Sequence, residues 1–220
     1  MRTTATAVLL AGVVVVPAAP AAARQNPYFP LRPGTQWVYE GHEGKHPSRD
    51  VVTVTHRTRR IAGVRTHVVN DRVYIGSRLE EHTSDYYATG RHGTVRYYGE
   101  RTATLKPDGS VESREGSWLA GEHGARAGVF MPLHPRVGEA FQQEFDPGVA
   151  EDHFRVESLH ATIGTPYARY RRTALMTREW TPLEPGVRDG KWYVRGIGEV
   201  AEATLKGGSE KLGLVAFTRG

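Results

Sequence analysis

Cysteine is absent from the 220 residues of the chain. This absence excludes disulfide bonds, thiolate metal sites, a cysteine nucleophile and lipid attachment through a cysteine. The chain also lacks a G-x-S-x-G elbow, a Walker loop and a dinucleotide fingerprint, so no cofactor is expected. No stretch carries a sustained 3.6-residue apolar period with helix caps, so little or no helix is expected beyond the N-terminal leader.

The N-terminus has the pattern of a secretory signal peptide. A basic start is followed by a mostly apolar run up to Val16 and by small residues that end in Ala21-x-Ala23. The apolar run is shorter than the roughly 20 residues that a membrane-spanning helix needs. We therefore expect residues 1–23 to be a signal peptide and residues 24–220 to form one exported domain. The expected location is extracellular, with membrane contact only through the cleaved leader.

Positive charge is present but scattered. The chain has 29 Lys and Arg against 24 Asp and Glu, a net charge of +5. The basic clusters "HRTRR" at 56–60 and "RYRR" at 169–172 are short and lie on predicted strands and turns. A nucleic-acid interface usually has a wider basic face with stacking aromatic residues. We therefore expect a solvated basic surface and no nucleic-acid partner.

Strand and turn signals alternate along the rest of the chain. Runs such as "QWVYEG", "DVVTVTHRT" and "HFRVESLHATI" are rich in β-branched and aromatic residues. Between them lie turn sequences such as "RPGT", "KPDGS" and "EPGVRDG". This pattern predicts an all-β fold: a single antiparallel domain that is a barrel, a half-barrel or a sandwich.

The stretch 84–100 predicts a hairpin with Gly90–Gly93 as its loop. In that register Tyr86 faces Tyr97, and Tyr87 faces Arg96. Period-2 alternation then places Tyr86 and Tyr97 on the core face and Tyr87 on the other face, with Asp85, Arg96 and Tyr98. That second face is either an ordinary polar face or a recognition patch.

The segment "YEGHEGKHPSRD" contains the letters of a zinc-protease motif, His42-Glu43-x-x-His46. The motif needs a helix, because only there do histidines four residues apart point the same way. Gly44 lies inside the motif and Pro47 follows it, and both disfavour a helix. The flanking sequences predict two strands, so we expect the motif to form the bend that connects them. We expect no metal site here, and a zinc site at His42 and His46 is kept only as the weaker alternative.

Some polar residues alternate in step with apolar neighbours. Asp152 shares its parity with Phe154, Arg178 with Met176, and Gln143 lies between two phenylalanines. If these faces are interior, Asp152 and Arg178 either pair as a buried salt bridge or line a cavity and bind a polar group. Glu179 and Glu184 would then lie at the rim or outside. Other carboxylates could supply acid–base chemistry, without a signal for which converge: Glu100, Glu115, Glu144 and Glu151.

Two functional hypotheses follow from these residues. The first is an exported domain that binds a small or lipid-like molecule, or an envelope component, in a concave face or barrel mouth. The alternative is a secreted hydrolase, or another enzyme, that uses carboxylates in a barrel cavity. Oligomeric state has no signal. The candidate ligand-binding residues are Tyr87, Tyr98, Gln143, Asp152, Arg178 and Trp180.

Five segments resemble a family of uncharacterised exported β-rich proteins that bear signal peptides and are common in actinobacteria. The segments are "NPYFPLRPGTQWVYEG", "DYYATGRHGTVRYYGE", "EGSWLAG", "TREWTPLEPG" and "KWYVRGIGEV". The resemblance implies a secreted β-rich domain and no particular activity. The pattern from Tyr193 to Val200 is also similar to exported β-sheet proteins, some of them linked to envelope lipoproteins. The chain departs from the family at Gly90, Thr94 and Arg96, where Asp, Asn and Trp are typical, so an ion-binding role of that loop is not expected.

Overall fold

Strands account for all the regular structure in the computed structural model, which describes residues 25–220. The expected signal peptide at residues 1–23 lies outside the described residues. No helix in the described part of the chain is long and apolar enough to cross a membrane. The strands are β1 (Gln36–Glu43), β2 (His46–Ile61), β3 (Val64–Ile75), β4 (Arg78–Thr89), β5 (Val95–Leu105), β6 (Val111–Ser113), β7 (Trp118–Leu119), β8 (Arg126–Met131), β9 (Ala140–Gln142), β10 (Glu144–Phe145), β11 (His153–Gly164), β12 (Arg169–Trp180), β13 (Arg188–Val194), β14 (Gly198–Lys206) and β15 (Lys211–Thr218).

The strands form one antiparallel sheet that curls into a nearly closed barrel of 13 strands. Their order is β10-β8-β5-β4-β3-β2-β1-β15-β14-β13-β12-β11-β9, and β6 and β7 pair with β5 outside this path. Most neighbours are consecutive hairpins, as expected for short strands separated by turn sequences. The all-β, antiparallel prediction is confirmed, and the barrel is the one of the three expected architectures that forms.

The two ends of the sheet are held by one short segment, residues 140–145. Its first half, β9, pairs with β11, and its second half, β10, pairs with β8. Gln143 lies between the two halves and is buried. On the β8 side, a Cβ atom added to Gly128 would lie 2.1 Å from the backbone oxygen of Gln143. We call residues 140–145, which join the two ends of the sheet, the seam of the barrel. The seam depends on a glycine, Gly128, that lets two backbones touch.

The segment before β1 closes one end of the barrel. The Asn26 side chain is buried and its amide Nδ2 donates to the carbonyl oxygens of Gly93, Met131 and Pro132 at 3.0, 3.1 and 3.2 Å. Behind it, Tyr28 and Leu31 are buried in the hydrophobic core. Buried polar groups are usually satisfied in this way. The contacts fix the segment across the barrel end and carry Phe29 inward.

The 84–100 hairpin forms with a register one residue away from the prediction. Its loop spans residues 90–94, so Tyr87 pairs with Tyr97 and Ala88 pairs with Arg96. A one-residue slip moves side chains to the other face of a strand. Tyr87 therefore lies inside the barrel with Tyr97, and the expected grouping of Tyr87 with Arg96 is wrong.

Candidate functional site

An acidic cavity of about 240 Å³ lies inside the barrel. Its walls come from strands all around the sheet, together with Phe29 and the seam residue Gln143. Nine carboxyl groups and a single basic side chain, Lys191, line it within the described residues. The carboxyl groups belong to Asp50, Asp71, Asp85, Glu100, Glu144, Asp152, Glu179, Glu199 and Glu202.

Strand alternation explains how acidic residues come to lie inside. Asp50 has the parity of Val52 and Val54, and Asp71 has the parity of Val69, so each acid shares the inward face of a strand with apolar residues. On β5 the alternation is interrupted at Gly99, whose φ is +118°. Glycine adopts such a conformation readily, and the interruption puts both Tyr97 and Glu100 on the inner face.

Tyr97 connects two of the carboxyl groups. Its hydroxyl oxygen lies 2.6 Å from Asp85 Oδ1 and 2.9 Å from Glu100 Oε2. A phenol has one proton to donate, so one of the two contacts needs a proton from the carboxyl group itself. Burial, followed by repulsion from neighbouring carboxylates, raises the pKa of Asp85 and of Glu100 to about 8. The three groups therefore share protons at neutral pH.

Asp50 and Asp71 form a second acidic pair on β2 and β3. Burial raises the pKa of Asp50 to about 6, and burial with the charge of Asp50 raises the pKa of Asp71 well above its usual value. One oxygen of each, Oδ1, is buried without a hydrogen-bond donor among residues 25–220. Because carboxyl groups in contact repel when both are ionised, the pair holds a proton at neutral pH.

Lys191 on β13 is placed among three glutamates. Its Nζ lies 3.6 Å from Glu179 Oε2 and 3.5 Å from Glu202 Oε1. Burial lowers the pKa of Lys191, but the charges of Glu179, Glu202 and Glu199 outweigh it and raise the pKa well above its usual value. Gln143 Nε2 donates to Glu179 Oε2 at 3.2 Å and so ties this group to the seam. Lys191 is therefore a permanent cation.

Aromatic rings form one wall of the cavity. Tyr87 and Tyr97 are stacked with centroids 4.6 Å apart, and Phe130 meets Tyr87 edge-on at 4.8 Å. Phe29, from the segment that closes the barrel end, lies 4.9 Å from Tyr87. We call these four residues the aromatic wall. It is packed by ring contacts of the kind that fix aromatic orientation.

A smaller cavity of about 150 Å³ adjoins the main one. The two share Asp152, Glu179, Lys191 and Glu202. We call the smaller cavity the vestibule, because the linker between β12 and β13 forms its outer side. The residues that line the vestibule alone are Trp180, Thr181, Glu184, Val187 and Asp189.

The structure brings together part of the predicted site. Tyr87, Gln143 and Asp152 line the main cavity, and Trp180 lines the vestibule, where its ring stacks on His153. Tyr98 lines neither of these two cavities.

The expected Asp152–Arg178 salt bridge is wrong. Arg178 Nε instead contacts Glu157 Oε1 at 2.9 Å, away from both cavities. Asp152 precedes the first residue of β11, so strand parity does not apply to it. Its pKa is raised by burial and lowered in part by a hydrogen bond with Thr181. Glu179, expected at the rim or outside, is the β12 residue that lines the main cavity.

The charged cavity residues that sequence reasoning missed are Asp50, Asp71, Lys191, Glu199 and Glu202, whereas Asp85 was named only as part of a possible recognition patch. The signal that singled out Asp152 was also present for two of them, since Asp50 and Asp71 alternate in step with valines. Glu199 and Glu202 gave no such signal, because they are three positions apart, which breaks the period of two, and strand irregularities near Tyr193 alter the alternation.

The histidine motif lies on a tight hairpin. His42 and Glu43 end β1, His46 begins β2, and the register pairs Glu43 with His46 and His42 with Pro47. Consecutive pairs point to opposite faces of a strand pair, so His42 and His46 point apart. Within residues 25–220, no group of three or more His, Cys, Asp or Glu is arranged to hold a metal ion. The expected bend is confirmed, and the two histidines cannot act as a zincin pair.

The shifted carboxyl groups predict that the free protein is more stable at pH 5 than at pH 8. In the folded state Asp85 and Glu100 keep protons up to about pH 8, whereas in the unfolded chain such groups titrate near ~4. Between these values the folded state binds more protons, so the free energy of unfolding falls as pH rises. Calorimetry should show a Tm lower by about 5 °C or more at pH 8. A Tm that is flat or rises over this range would contradict the assignment.

Comparisons with known proteins give a fold likeness and no family. No family model and no curated protein matches the chain. A solved structure from Bacteroides fragilis, described as an exported protein with a YmcC-like fold, is similar with a TM-score of 0.49 at 13% identity, over 87% of this chain and 99% of that one. A second, described as a lipoprotein from Parabacteroides distasonis, has a TM-score of 0.44 at 10% identity, over 89% of this chain and 100% of that one. The actinobacterial family expected from sequence is not supported by these matches.

Proposed function

We propose that this protein is exported and that its barrel binds a small polar molecule in the acidic cavity. One observation carries the proposal: nine carboxyl groups surround open space in the middle of the fold. A core that served only stability would be close-packed and apolar, because buried ionisable groups are costly. Clusters of strongly shifted pKa values in a cleft are typical of functional sites. The leader pattern at residues 1–23 supports export.

The cavity favours a polar ligand over the lipid-like one that the sequence left open. At about 240 Å³ it is smaller than the roughly 300–1,000 Å³ typical of pockets for drug-sized ligands. A long acyl chain would also place carboxyl groups against hydrocarbon, which costs free energy unless each finds a partner. A compact metabolite with several hydrogen-bonding or charged groups fits the walls better.

Filling the cavity tests the proposal. Val52→Phe puts a ring into the space from β2, whereas Val51→Phe, one residue earlier, puts the same ring on the other face of the strand. Wild type and Val51→Phe should gain Tm when mixed with a small-molecule extract of the medium in which the protein is secreted, because a ligand of the folded state stabilises it. Val52→Phe should gain nothing. Equal responses of the three proteins, or none from wild type, would refute cavity binding.

A second candidate function, acid–base catalysis, is favoured by the Asp85–Tyr97–Glu100 arrangement. Two carboxyl groups with pKa values near 8 share one phenol and face the cavity, as a general acid and base would. Native mass spectrometry of wild type and Glu100→Gln after mixing with the same extract separates catalysis from binding. If the protein is an enzyme, the wild type should hold either a reacted molecule of altered mass or no molecule, whereas Glu100→Gln should hold the unreacted ligand. The same adduct in both proteins would mean binding alone.

A further inference from the structure

We propose that the molecule held in the cavity is an organic ammonium ion, an amine or polyamine whose charge the carboxyl groups neutralise. The inference rests on the proposed function and specifies its ligand. Four features of the site support it: the charge balance of the lining, two carboxyl oxygens without donors, the aromatic wall, and the acidity of the vestibule.

The charge balance of the cavity is opposite to that of the protein. The full chain carries a net charge of +5, whereas the lining has nine carboxyl groups against one lysine. Lys191 is already engaged by Glu179 and Glu202. Among the described residues that line the cavity, the remaining acids therefore have no cation of their own. Buried charges are normally paired, so the negative charge of these carboxylates must be neutralised either by a bound cation or by protons.

Two neighbouring carboxyl oxygens receive no donor from any other side chain. Asp50 Oδ1 and Asp71 Oδ1 are buried and have no N–H or O–H donor among the described residues, so a hydrogen bond within the pair needs a proton that one of the two carboxyl groups carries. Both side chains line the same cavity as the glutamates of β14. An ammonium group carries up to three N–H donors, and a carboxylate accepts only, so the two chemistries are complementary.

The aromatic wall favours an organic cation over a metal ion. Ring faces attract ammonium groups and their alkyl substituents by cation–π and apolar contact. Tyr87 and Tyr97 present such rings beside Asp85, so a cation could contact a ring and a carboxylate together. Metal ions such as Ca²⁺ and Mg²⁺ instead take shells of six or more oxygen ligands. No such arrangement of three or more acidic side chains occurs in residues 25–220.

The vestibule extends the acidic lining outward. Glu184 and Asp189 line its outer part with Trp180, and Asp152, Glu179 and Glu202 connect it to the main cavity. A cleft lined by one sign of charge concentrates ligands of the opposite sign. The vestibule therefore attracts a cation and repels an anion.

Uptake of the cation should release protons. In the free protein, Asp50 with Asp71, Asp85 with Glu100, Glu144 of β10 and Glu202 of β14 hold protons, first because they are buried and then because neighbouring carboxylates repel. Lys191 of β13, the only basic side chain in the lining that the structure describes, keeps its charge throughout. A bound ammonium ion stabilises the ionised carboxylates, so affinity rises with pH as long as the ligand stays protonated.

Isothermal titration calorimetry on the full mature protein tests whether the ligand is an organic ammonium ion. The probes are spermidine, putrescine and tetramethylammonium, with CaCl₂, glucose and sodium sulfate as comparators. At least one ammonium probe should bind, at least tenfold more tightly at pH 8 than at pH 5. Its heat should change with the ionisation enthalpy of the buffer, which reports released protons.

Paired variants locate the site. Asp50→Asn with Asp71→Asn keeps the shapes and removes the two charges, and it should weaken binding of the ammonium probe at least tenfold at pH 8. Glu40→Gln on β1 removes an acid that is largely exposed and should leave binding unchanged. Circular dichroism confirms folding of each variant. If the double variant does not fold, Val52→Phe replaces it, since that ring occupies the same space.

The outcomes separate this inference from the function on which it rests. If glucose or sulfate bound in the cavity and no ammonium probe did, the inference of a cationic ligand would be overturned, whereas the proposed binding function would stand. Binding of CaCl₂ in preference to every amine would assign a metal site instead and also overturn it. Ammonium binding that survives both the double variant and Val52→Phe would place the ligand elsewhere and overturn both proposals.

Discussion

Lys191→Met should be strongly destabilised at pH 8 and much less destabilised at pH 5. The substitution leaves Glu179, Glu199 and Glu202 buried together without their cation. Breaking a buried ion pair by removing one partner typically costs about 3–5 kcal/mol, a large share of the roughly 5–15 kcal/mol that stabilises a domain. At pH 5 Glu199 and Glu202 are protonated, because burial raises the pKa of Glu202 to about 7 and that of Glu199 well above its usual value. Two of the charges to be compensated then disappear.

The measurement is thermal unfolding of wild type and variant at both pH values. At pH 8 the variant should lose about 10 °C or more of Tm, and at pH 5 the difference should shrink to a few degrees. Lys211→Met is the matched control, since Lys211 is exposed on β15 and should matter little at either pH. An equal loss of Tm at both pH values would mean that Lys191 stabilises the fold through the packing of its aliphatic chain and not through its charge.

Gly128→Ala should destabilise the seam of the barrel by at least about 3 kcal/mol, in the range of severe single substitutions. The added Cβ would lie 2.1 Å from Gln143 O and 2.4 Å from its carbonyl carbon, which are backbone atoms that cannot rotate away. The segment 140–145 would have to move, and with it Glu144 and the Gln143 amide that donates to Glu179. The substitution should therefore disturb both the closure of the barrel and the wall of the cavity that Gln143 and Glu144 form.

Urea unfolding monitored by tryptophan fluorescence measures this cost. Gly164→Ala is the control, because a Cβ at Gly164 meets nothing within 4 Å. That variant should differ from wild type by about 0.5 kcal/mol or less. If the two alanine variants were equally stable, the close approach of β8 to Gln143 would not be a constraint on the fold.

The fold class was predictable from sequence, because strand and turn chemistry are local. Residues such as those of "DVVTVT" and the glycine turns between strands determine each hairpin with little help from the rest of the chain. Strand order was not predictable. The choice among barrel, half-barrel and sandwich depends on β1 meeting β15 and on the seam at residues 140–145, and these contacts join distant parts of the sequence.

The candidate site was predictable only in part, and the errors have physical causes. Tyr87, named as a candidate, does line the cavity, yet it was placed on the wrong face because the turn at residues 90–94 is one residue longer than expected. Arg178 was placed inside by parity, but on β12 the inward residues are Thr177 and Glu179. In a strand whose inner face is polar, parity with apolar neighbours no longer separates inside from outside.

The pairing of the first strand with the last has a consequence for how the chain must fold. β1 and β15 lie side by side near the middle of the sheet, and Gly220 N donates to Thr35 Oγ1 at 3.2 Å. Until the final residues arrive, β1 and β14 both present open hydrogen-bonding edges, which invite pairing with other chains. Because this ladder spans nearly the whole sequence, its closure is entropically late and should make folding slow. Loss of the last ten residues would therefore leave an aggregation-prone chain rather than a slightly shortened one.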